Sequence, residues 1–302
     1  SATGSWTANP HQNSRVMLKI YLTVLILNGV GGQISFSSLP CNHRSPKIVG
    51  GSEAEKSELP YMVSLMRRGG HFCGASILNE QWLVTAGHCV CNGLNKIFHA
   101  SQIQGVIGLH SISQYLNGNS AEKSTPIRIN FKRIIPHPKY ECTNVKNDIA
   151  LLQLEEPLKF TERVKPICVS VENPLIEYEN QLAIVSGWGW TNENQEEGQK
   201  ADILKKVTVK IWNNHSCEKS YQINGKPSSL ISDTQLCAGL KNGGADSCWA
   251  DSGGPLIMKD KILVGIVSTG IGCARPGLPG IYTRVSKYVD WMESVLSNAN
   301  VI

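Results

Sequence analysis

Short apolar runs separated by turn residues are the feature of this sequence that most restricts its fold. Each run is five to seven residues long and rich in Val, Ile, Thr and aromatic residues, while Gly, Pro, Asn and Ser cluster between the runs. Runs of this kind are typical of antiparallel strands, and the sequence shows no alternation of strands with long helical patterns. We therefore predict an all-β protein. Examples of the predicted strands are residues 61–66, 75–79, 82–86, 149–154, 182–188, 206–212, 262–268 and 280–285.

The segment after residue 285 has a different period. Its apolar residues are Val285, Tyr288, Val289, Met292 and Leu296. Their spacing of three and four residues places them on one face of a helix. We predict an amphipathic C-terminal helix, with Ser286 as its N-cap, that packs against the β body. Residues 67–70 (Arg-Arg-Gly-Gly) predict a hairpin turn, and residues 113–124 and 191–200 predict polar surface loops.

The N-terminal region indicates secretion. Residues 17–32 combine a Met, a Lys and an apolar run from residue 20 to residue 30. This run has the length of a signal-peptide core and is too short to span a bilayer, although a buried helix or strand is the alternative. We predict a signal peptide over residues 17–34, with its cleavage point open, and an extracellular protein. Residues 1–16 are interpreted as a non-native or upstream segment outside the fold.

Ten cysteines support the same compartment. Their even number and wide spacing indicate disulfides formed in an oxidising environment, and free buried thiols are the alternative. A zinc site is disfavoured because the close pair Cys89 and Cys91 has no second close pair to complete a tetrahedral set.

The charge distribution excludes one class of partner. The net charge of the whole chain is +5, but residues 1–47 hold four of its 29 basic residues and none of its 24 acidic residues. Residues 48–302 therefore carry 25 basic and 24 acidic residues and are nearly neutral. Without a run of Lys or Arg, the sequence does not indicate a nucleic-acid partner.

Three polar residues in separate motifs suggest acyl transfer. His88 lies in TAGHC, Asp148 in NDIALL and Ser252 in DSGGP. Serine-based acyl transfer needs a nucleophile, a base, an acid that orients the base, and donors for the oxyanion. The chain order His, Asp, Ser excludes the orders found in α/β-hydrolases and in subtilisin.

These motifs, together with KIVGG, FCGASIL, SGWG, DSCWADSGGP, GIVS and GIYTRV, make the chain resemble the chymotrypsin/trypsin family of serine proteases from residue 47 to about residue 295. The resemblance implies two six-stranded antiparallel β-barrels, a cleft between them and a C-terminal helix, with residues 48–302 as the protease domain. It also implies that His88 is the general base, Asp148 its orienting acid and Ser252 the nucleophile. The backbone N–H groups of Ala250 and Ser252 would form the oxyanion hole.

The resemblance further implies a specificity pocket and an activation site. Asp246 would form the base of the pocket and select Arg or Lys, and Gly270 and Gly280 would form its open walls. Residues 35–47 would be an activation peptide.

Cleavage between Lys47 and Ile48 would free an α-amino group that pairs with Asp251. A basic residue at position 47 implies an activating protease with trypsin-like specificity, or the enzyme itself.

A disulfide set also follows from the resemblance, with the two remaining cysteines, Cys91 and Cys142, forming the fifth pair. The implied pairs are Cys41–Cys168, Cys73–Cys89, Cys91–Cys142, Cys217–Cys237 and Cys248–Cys273. A further bridge of the family is missing, because Ala183 and Met258 occupy its two places.

Three further positions depart from the family pattern. Ala250 replaces a glycine of the oxyanion hole, and a Cβ there costs about 1–2 kcal/mol if the loop requires a positive φ. Thr269 replaces an aromatic residue beside the substrate. Leu109 replaces the acid that begins a calcium loop in some trypsins, so we expect no calcium, and the chemistry requires no other metal or cofactor.

We therefore expect a secreted, trypsin-like serine endopeptidase made as a zymogen. Its expected partners are protein or peptide substrates with Arg or Lys, an activating trypsin-like protease, and serpin or Kunitz-type inhibitors, with no nucleic acid and no membrane. The alternative is a weakly active or inactive homologue that binds partners. A disulfide-rich binding module would not explain why His88, Asp148 and Ser252 occur together.

Asn214 lies in the one glycosylation sequon of the chain, Asn214-His215-Ser216, and is a candidate for glycosylation.

Overall fold

The computed structural model describes eleven parts of the chain: residues 35–36, 51–92, 96–118, 126–143, 146–169, 178–194, 196–225, 231–244, 248, 250–258 and 261–298. All of them belong to one compact unit, Gln33–Ile302. The predicted signal peptide, the activation site at Lys47 and Ile48, the pocket residue Asp246 and Cys41 lie outside the described residues.

Strands dominate the described residues. The strands of the first half are β1 (Ser52–Glu53), β2 (Met62–Arg67), β3 (Gly70–Ile77), β4 (Trp82–Thr85), β5 (Gln104–Ile107), β6 (Ile127–Ile129), β7 (Phe131–Pro136) and β8 (Ala150–Leu154). Those of the second half are β9 (Cys168–Val169), β10 (Leu182–Gly187), β11 (Lys205–Trp212), β12 (Gln235–Gly239), β13 (Pro255–Met258), β14 (Ile262–Thr269) and β15 (Gly280–Arg284). The helices are α1 (Ile112–Leu116), α2 (Asn214–Ile223) and α3 (Val289–Asn298), with short 3-10 turns at Gly87–Val90, Ala100–Gln102 and Val285–Lys287.

The first sheet has the strand order β6-β5-β2-β3-β4-β8-β7, and every neighbouring pair in it is antiparallel. Its two edge strands, β6 and β7, are consecutive in the chain and separated only by Asn130. Because each edge strand pairs with a different neighbour, the sheet must curl until its edges meet at Asn130. Curling encloses an apolar interior that includes the fully buried Val63, Leu83 and Leu152.

The second sheet closes by hydrogen bonding. Strands β11, β10, β13, β14, β15 and β12 follow one another, and β11 also pairs with β12, which completes a ring of six. The short strands β1 and β9 attach to β11 and β14 from outside this ring. Ala183 on β10 pairs directly with Met258 on β13, so the two positions without the family's bridge face each other. The all-β, two-barrel prediction is confirmed.

The predicted strands correspond to observed ones, with one notable extension. The predicted run 75–79 overlaps only the last three residues of β3, which spans Gly70–Ile77. Gly70, His71 and Gly74 interrupt the apolar pattern in its first half, although His71 is only 4% exposed. The hairpin predicted at 67–70 is present, and Arg68 and Gly69 have φ of 51° and 79°. Two successive positive φ values are typical of the type I′ turn that suits a two-residue hairpin.

The loop predicted over 113–124 is wrong at its start, where the structure forms α1. The Ser111 hydroxyl accepts a hydrogen bond from the N–H of Gln114 at 3.1 Å and so caps this helix. Helix α2 was not predicted, and Asn213 caps it by accepting from the N–H of Ser216 at 3.0 Å.

The C-terminal helix is confirmed, but its predicted N-cap is wrong. Helix α3 begins at Val289, and Ser286 lies in the preceding 3-10 turn. The predicted apolar face is buried: Val285, Tyr288, Val289, Met292 and Leu296 are each at most 8% exposed. Phe36, from the predicted activation peptide, is 2% exposed, and its N–H donates to Glu293 Oε1 on α3 at 2.8 Å.

The sequon residue Asn214 is the first residue of α2. Its Nδ2 donates to the carbonyl oxygens of Ser232 at 3.1 Å and Gln235 at 3.0 Å. Both hydrogens of this nitrogen are therefore used within the fold, and a glycan would replace one of them. The geometry disfavours modification of Asn214.

Candidate active site

His88 lies in the 3-10 turn Gly87–Val90 that follows β4. The turn is fastened to β3 by the disulfide between Cys73 and Cys89. It also packs closely against the ring of Tyr140, because a Cβ at Gly87 would lie 2.8 Å from that ring. A side chain at position 87 would push this turn away from Tyr140. The glycine of TAGHC therefore allows the close packing that positions the His88 imidazole.

Asp148 is placed by a backbone reversal at the preceding residue. Asn147 has φ of 53°, a left-handed conformation that asparagine tolerates better than most residues. The Asp148 side chain is thereby turned inward and is 1% exposed. On the second barrel, the Ser268 hydroxyl donates to Asp148 Oδ2 at 2.6 Å, and the Thr283 hydroxyl donates to the Asp148 carbonyl at 2.7 Å. Asp148 therefore joins the two barrels.

The His88 imidazole is bound to this carboxylate. Its Nδ1 lies 2.8 Å from Asp148 Oδ2, and its backbone N–H donates to Oδ1 at 2.8 Å. Burial alone lowers the pKa of His88, but the charge and hydrogen bond of Asp148 outweigh it and raise that pKa above its usual value. Since Asp148 accepts from Nδ1, Nε2 of the neutral ring is left as a proton acceptor. The His88 side chain is 35% exposed and can meet a substrate.

Ser252 lies in a loop held between the two barrels. Its carbonyl accepts from the N–H of Gly74 on β3 at 2.7 Å, and the next N–H, of Gly253, donates to Val267 on β14 at 2.8 Å. Gly253 has φ of 77°, and a Cβ there would clash with Thr85 and the Gly74 carbonyl. The loop thus contacts the strand that carries Cys73 on one side and the strand that carries Ser268 on the other.

Ala250 adopts the conformation that glycine favours. Its φ is 71°. It is the third residue of a turn that is closed by a hydrogen bond of 3.0 Å from the N–H of Asp251 to the carbonyl of Cys248, and a positive φ at this position favours glycine. The Ala250 carbonyl lies 3.0 Å from His71 Nε2. Because a carbonyl can only accept, His71 must carry its proton on Nε2, and Nδ1 then accepts from the Ser64 hydroxyl at 2.8 Å.

His71 is a neutral structural donor. Burial lowers its pKa to about 4, against the opposing effect of the Ala250 carbonyl, and the nearby charge of Lys200 lowers it further. The imidazole is therefore uncharged at neutral pH. It holds the peptide after Ala250 in one orientation.

Asp251 faces a cavity of about 300 Å³. Its carboxylate accepts from the N–H of Gly189 at 2.8 Å and of Cys248 at 2.9 Å. Burial nevertheless raises the pKa of Asp251 to about 6, because these two bonds only partly offset the loss of water. Gly51 and Ser52, which follow Ile48 by three and four residues, also line this cavity.

The two predicted wall residues of the pocket adjoin each other. A Cβ built at Gly270 would lie 3.8 Å from the Cα of Gly280, so side chains at either position would narrow the space between them. The disulfide between Cys248 and Cys273 fastens the segment after Gly270 to the Ser252 loop.

The same segment carries an ion pair. Arg275 donates through Nε and a second guanidinium nitrogen to the Glu193 carboxylate, and hydrogen bonding to Arg275 is the chief cause that lowers the pKa of Glu193. Thr269, at the end of β14, is partly exposed.

Four disulfides are present among the described residues. Three of them, Cys73–Cys89, Cys217–Cys237 and Cys248–Cys273, are pairs that the resemblance implies, and the fourth, Cys91–Cys142, is the pair expected for the two remaining cysteines. Cys168 is also disulfide-bonded, and its predicted partner, Cys41, lies outside the described residues. Cys73 and Cys89 lie near His88, but their sulfurs are bonded to each other and cannot bind a metal as thiolates. Leu109 is 5% exposed, with its side chain in the core.

Two residues that contact the site, Ser268 and His71, were not predicted from the sequence. Ser268 is the extra residue at a bulge where the pairing of β14 with β15 shifts between Val267 and Thr269. Bulges redirect side chains, and this one accompanies a hydroxyl directed at Asp148. The available signal for His71 was a polar residue inside a strand, since a buried polar side chain requires a partner.

The fold and the site together define a class of protein. It consists of two antiparallel β-barrels with a hydrogen-bonded histidine and aspartate between them, here His88 and Asp148. A family model described as Trypsin matches residues 48–292. Trypsin 5G1 of Aedes aegypti is 38% identical over 252 residues, which cover 83% of this chain and 85% of that protein. Trypsin-1 of Astacus astacus is 38% identical over 254 residues, which cover 82% of this chain and 99% of that protein. The chain belongs to the trypsin family of serine proteases. None of the helices in the described ranges has both the length and the apolar character needed to cross a membrane.

Proposed function

We propose that this protein is an endopeptidase that hydrolyses peptide bonds after Arg or Lys. The observation that carries the proposal is the hydrogen bond between His88 and a buried Asp148, which leaves Nε2 of the imidazole able to accept a proton. In this proposal Ser252 Oγ attacks the carbonyl carbon of the scissile bond while His88 takes the hydroxyl proton. Asp148 keeps the ring in the required tautomer and stabilises the imidazolium.

The remaining steps follow from the same groups. The N–H groups of Ala250 and Ser252 donate to the oxyanion of the tetrahedral intermediate. When the intermediate collapses, His88 gives its proton to the leaving amine, and an acyl-enzyme on Ser252 remains. Water then attacks the ester, with His88 again acting as base, and Ser252 is regenerated with its proton.

Specificity for Arg or Lys is proposed from Asp246 and the open walls at Gly270 and Gly280. A carboxylate at the base of an enclosed pocket would be left unpaired by a neutral side chain, so a cationic side chain is preferred. Because neither wall position carries a side chain, the pocket is open enough to admit the long side chain of Arg or Lys.

Activation is proposed to occur by cleavage between Lys47 and Ile48. The cavity beside Asp251 is lined by Gly51 and Ser52, so a new N-terminus at Ile48 would be only three residues along the chain from a residue that lines this cavity. An α-ammonium group would pair with Asp251, a buried carboxylate whose partners among the described residues are the N–H groups of Gly189 and Cys248 and whose pKa burial raises. The pair would then fix the loop that carries Ala250 and Ser252.

Secretion is proposed from the predicted signal peptide at 17–34 and supported by the disulfides, which persist in oxidising compartments. The corresponding partners are extracellular protein substrates, an activating protease of trypsin-like specificity, and serpin or Kunitz-type inhibitors.

A peptide library tests this function. The chain cleaved after Lys47 should hydrolyse peptides after Arg and Lys at least about 100-fold faster than after neutral residues, since neutral side chains leave the pocket carboxylate unpaired. Asp246→Ser should remove this preference, whereas Asp233→Ser, at an exposed position, should keep it. Cleavage after other residues by the unaltered chain would refute the specificity.

One observation favours a second function. Ala250 holds a positive φ that costs about 1–2 kcal/mol for a residue with a Cβ, at a position proposed for the oxyanion hole. A partner-binding homologue with weak or no hydrolysis would tolerate such a change. The absence of any cleavage by the correctly processed chain would favour this function.

A further inference from the structure

A groove of about 300 Å³ lies at the tip of the hairpin formed by β2 and β3. Its lining includes three arginines, Arg67, Arg68 and Arg128, and no acidic residue from the described part of the chain. Met66 and Val106, at most 5% exposed, form an apolar floor beneath them. Neither His88 nor Ser252 lines this groove.

The positive charge of the groove is not neutralised within the described ranges. The Arg67 guanidinium lies 4.2 Å from the centre of the Phe98 ring, and Arg128 Nε donates to the Tyr115 hydroxyl at 3.0 Å. Both partners are neutral, so they position the guanidinium groups and leave their charges in place. Because residues 48–302 have nearly balanced charge, three arginines without acids form a local concentration of positive charge.

Arg68 occupies an unfavourable position for its residue type. It has φ of 51° in a two-residue turn, where asparagine, aspartate or glycine is preferred. An arginine there gives no advantage to the turn itself, and its exposed side chain points to a role outside the hairpin.

The groove is connected to both sides of the candidate active site. Met66 on its floor pairs in register with His71, and His71 binds the Ala250 carbonyl. On the other side, Phe98 beneath Arg67 donates its N–H to the carbonyl of Val90, in the turn that carries His88. The groove is therefore linked to both sides of the candidate active site by short paths within the first barrel.

We propose that this groove is a binding site for an acidic polypeptide segment of a protein substrate or inhibitor. The three guanidinium groups would pair with Asp or Glu carboxylates, and the floor of Met66 and Val106 would accept an apolar side chain between them. The apolar floor favours a peptide over a sulfated polysaccharide, which has no side chain to fill it. Binding itself does not require hydrolysis, and only its effect on substrate cleavage rests on the proposed function.

A binding experiment with the Ser252→Ala chain tests the proposal directly. The probe is a fluorescent peptide of alternating Glu and Leu, with a matched peptide in which Gln replaces Glu. The Glu peptide should bind, more weakly as the NaCl concentration rises from 50 to 500 mM, and the Gln peptide should not. The combined variant Arg67→Gln, Arg68→Gln and Arg128→Gln should bind the Glu peptide at least about tenfold more weakly.

A control variant with the same change in charge is Lys132→Gln, Lys210→Gln and Lys219→Gln, at exposed positions on β7, β11 and α2. It should bind the Glu peptide as the parent does. Equal weakening in both triple variants, equal binding of both peptides, or binding of heparin but not of the Glu peptide would overturn the proposal.

A kinetic experiment measures the consequence for cleavage. With the processed active chain, the arginine triple variant should raise KM about tenfold for an Arg substrate that carries the acidic segment after the scissile bond. It should leave kcat and KM unchanged for a short Arg substrate without this segment. A chain that hydrolyses neither substrate would refute the proposed activity, while the binding experiment would still decide the groove.

Discussion

His71 Nε2 donates a hydrogen bond of 3.0 Å to the carbonyl of Ala250, a residue 179 positions away in the chain. The bond joins the first barrel to the loop of Ser252 at the peptide next to the proposed oxyanion hole. His71 itself is fixed by Ser64 at 2.8 Å and is 4% exposed. We therefore expect the orientation of the proposed oxyanion donors to depend on this neutral histidine.

Replacing His71 should lower turnover more than substrate binding. In His71→Ala the Ala250 carbonyl loses its donor and the loop gains freedom, so kcat should fall about 10- to 100-fold with little change in KM. Active-site titration corrects for any misfolded fraction. Ser64→Ala, which removes only the outer hydrogen bond, should have a smaller effect, and a loss confined to KM would show that His71 does not orient the oxyanion donors.

Removing the methyl group of Ala250 should relieve strain. In Ala250→Gly the positive φ of 71° becomes unstrained, so the midpoint temperature of unfolding should rise and kcat should increase. Ala274→Gly is a matched control, because Ala274 also has a positive φ, of 55°. It should raise stability without changing kcat. An unchanged kcat in Ala250→Gly would show that the loop tolerates its methyl group.

The pH dependence should report the pair of His88 and Asp148. Because Asp148 raises the pKa of His88, activity should be lost as pH falls through a midpoint above 6.5, where the base becomes protonated. In Ser268→Ala the carboxylate loses one donor and interacts more strongly with His88, so the midpoint should move to higher pH. Thr283→Val removes only a bond to the Asp148 backbone and should leave the midpoint unchanged. Equal shifts in both variants would contradict this account.

Cleavage after Lys47 should stabilise the protein in a pH-dependent way. Before pairing, the pKa of Asp251 is raised to about 6, so its ionisation removes stability as pH rises from about 4 through 6. After cleavage the Ile48 ammonium group would lower that pKa and restore this stability. The midpoint temperature of the Ser252→Ala chain should therefore rise by roughly 5 °C on cleavage at pH 7.5 and little at pH 4. Asp251→Asn should abolish the difference, and a gain independent of pH would refute the pairing.

Local patterns predicted eight of the fifteen strands and the C-terminal helix face. They also indicated His88, Asp148 and Ser252 as candidates, because each lies in a short motif with its own structural requirement. Gly87 and Gly253 illustrate this, since a Cβ at either position would collide with its neighbours. His71 and Ser268 could not be found in this way. Their partners, Ala250 and Asp148, lie 179 and 120 residues away, and only the folded barrels bring them together.

The start of α3 shows a second limit. Ser286 has the residue type of an N-cap, but the chain first completes a 3-10 turn at Val285–Lys287, and burial of Val285 and Tyr288 fixes that turn. Tertiary packing therefore decides where the helix begins.

Covalent labelling is the most direct test of Ser252 as the nucleophile. The chain cleaved after Lys47 is treated with a fluorophosphonate, and the modified residue is identified by mass spectrometry. We expect one label per molecule, on Ser252, with much slower labelling in His88→Ala and in the chain that retains an intact Lys47–Ile48 bond. A processed, folded chain that remains unlabelled, or that is labelled elsewhere, would contradict the assignment of Ser252 as the nucleophile.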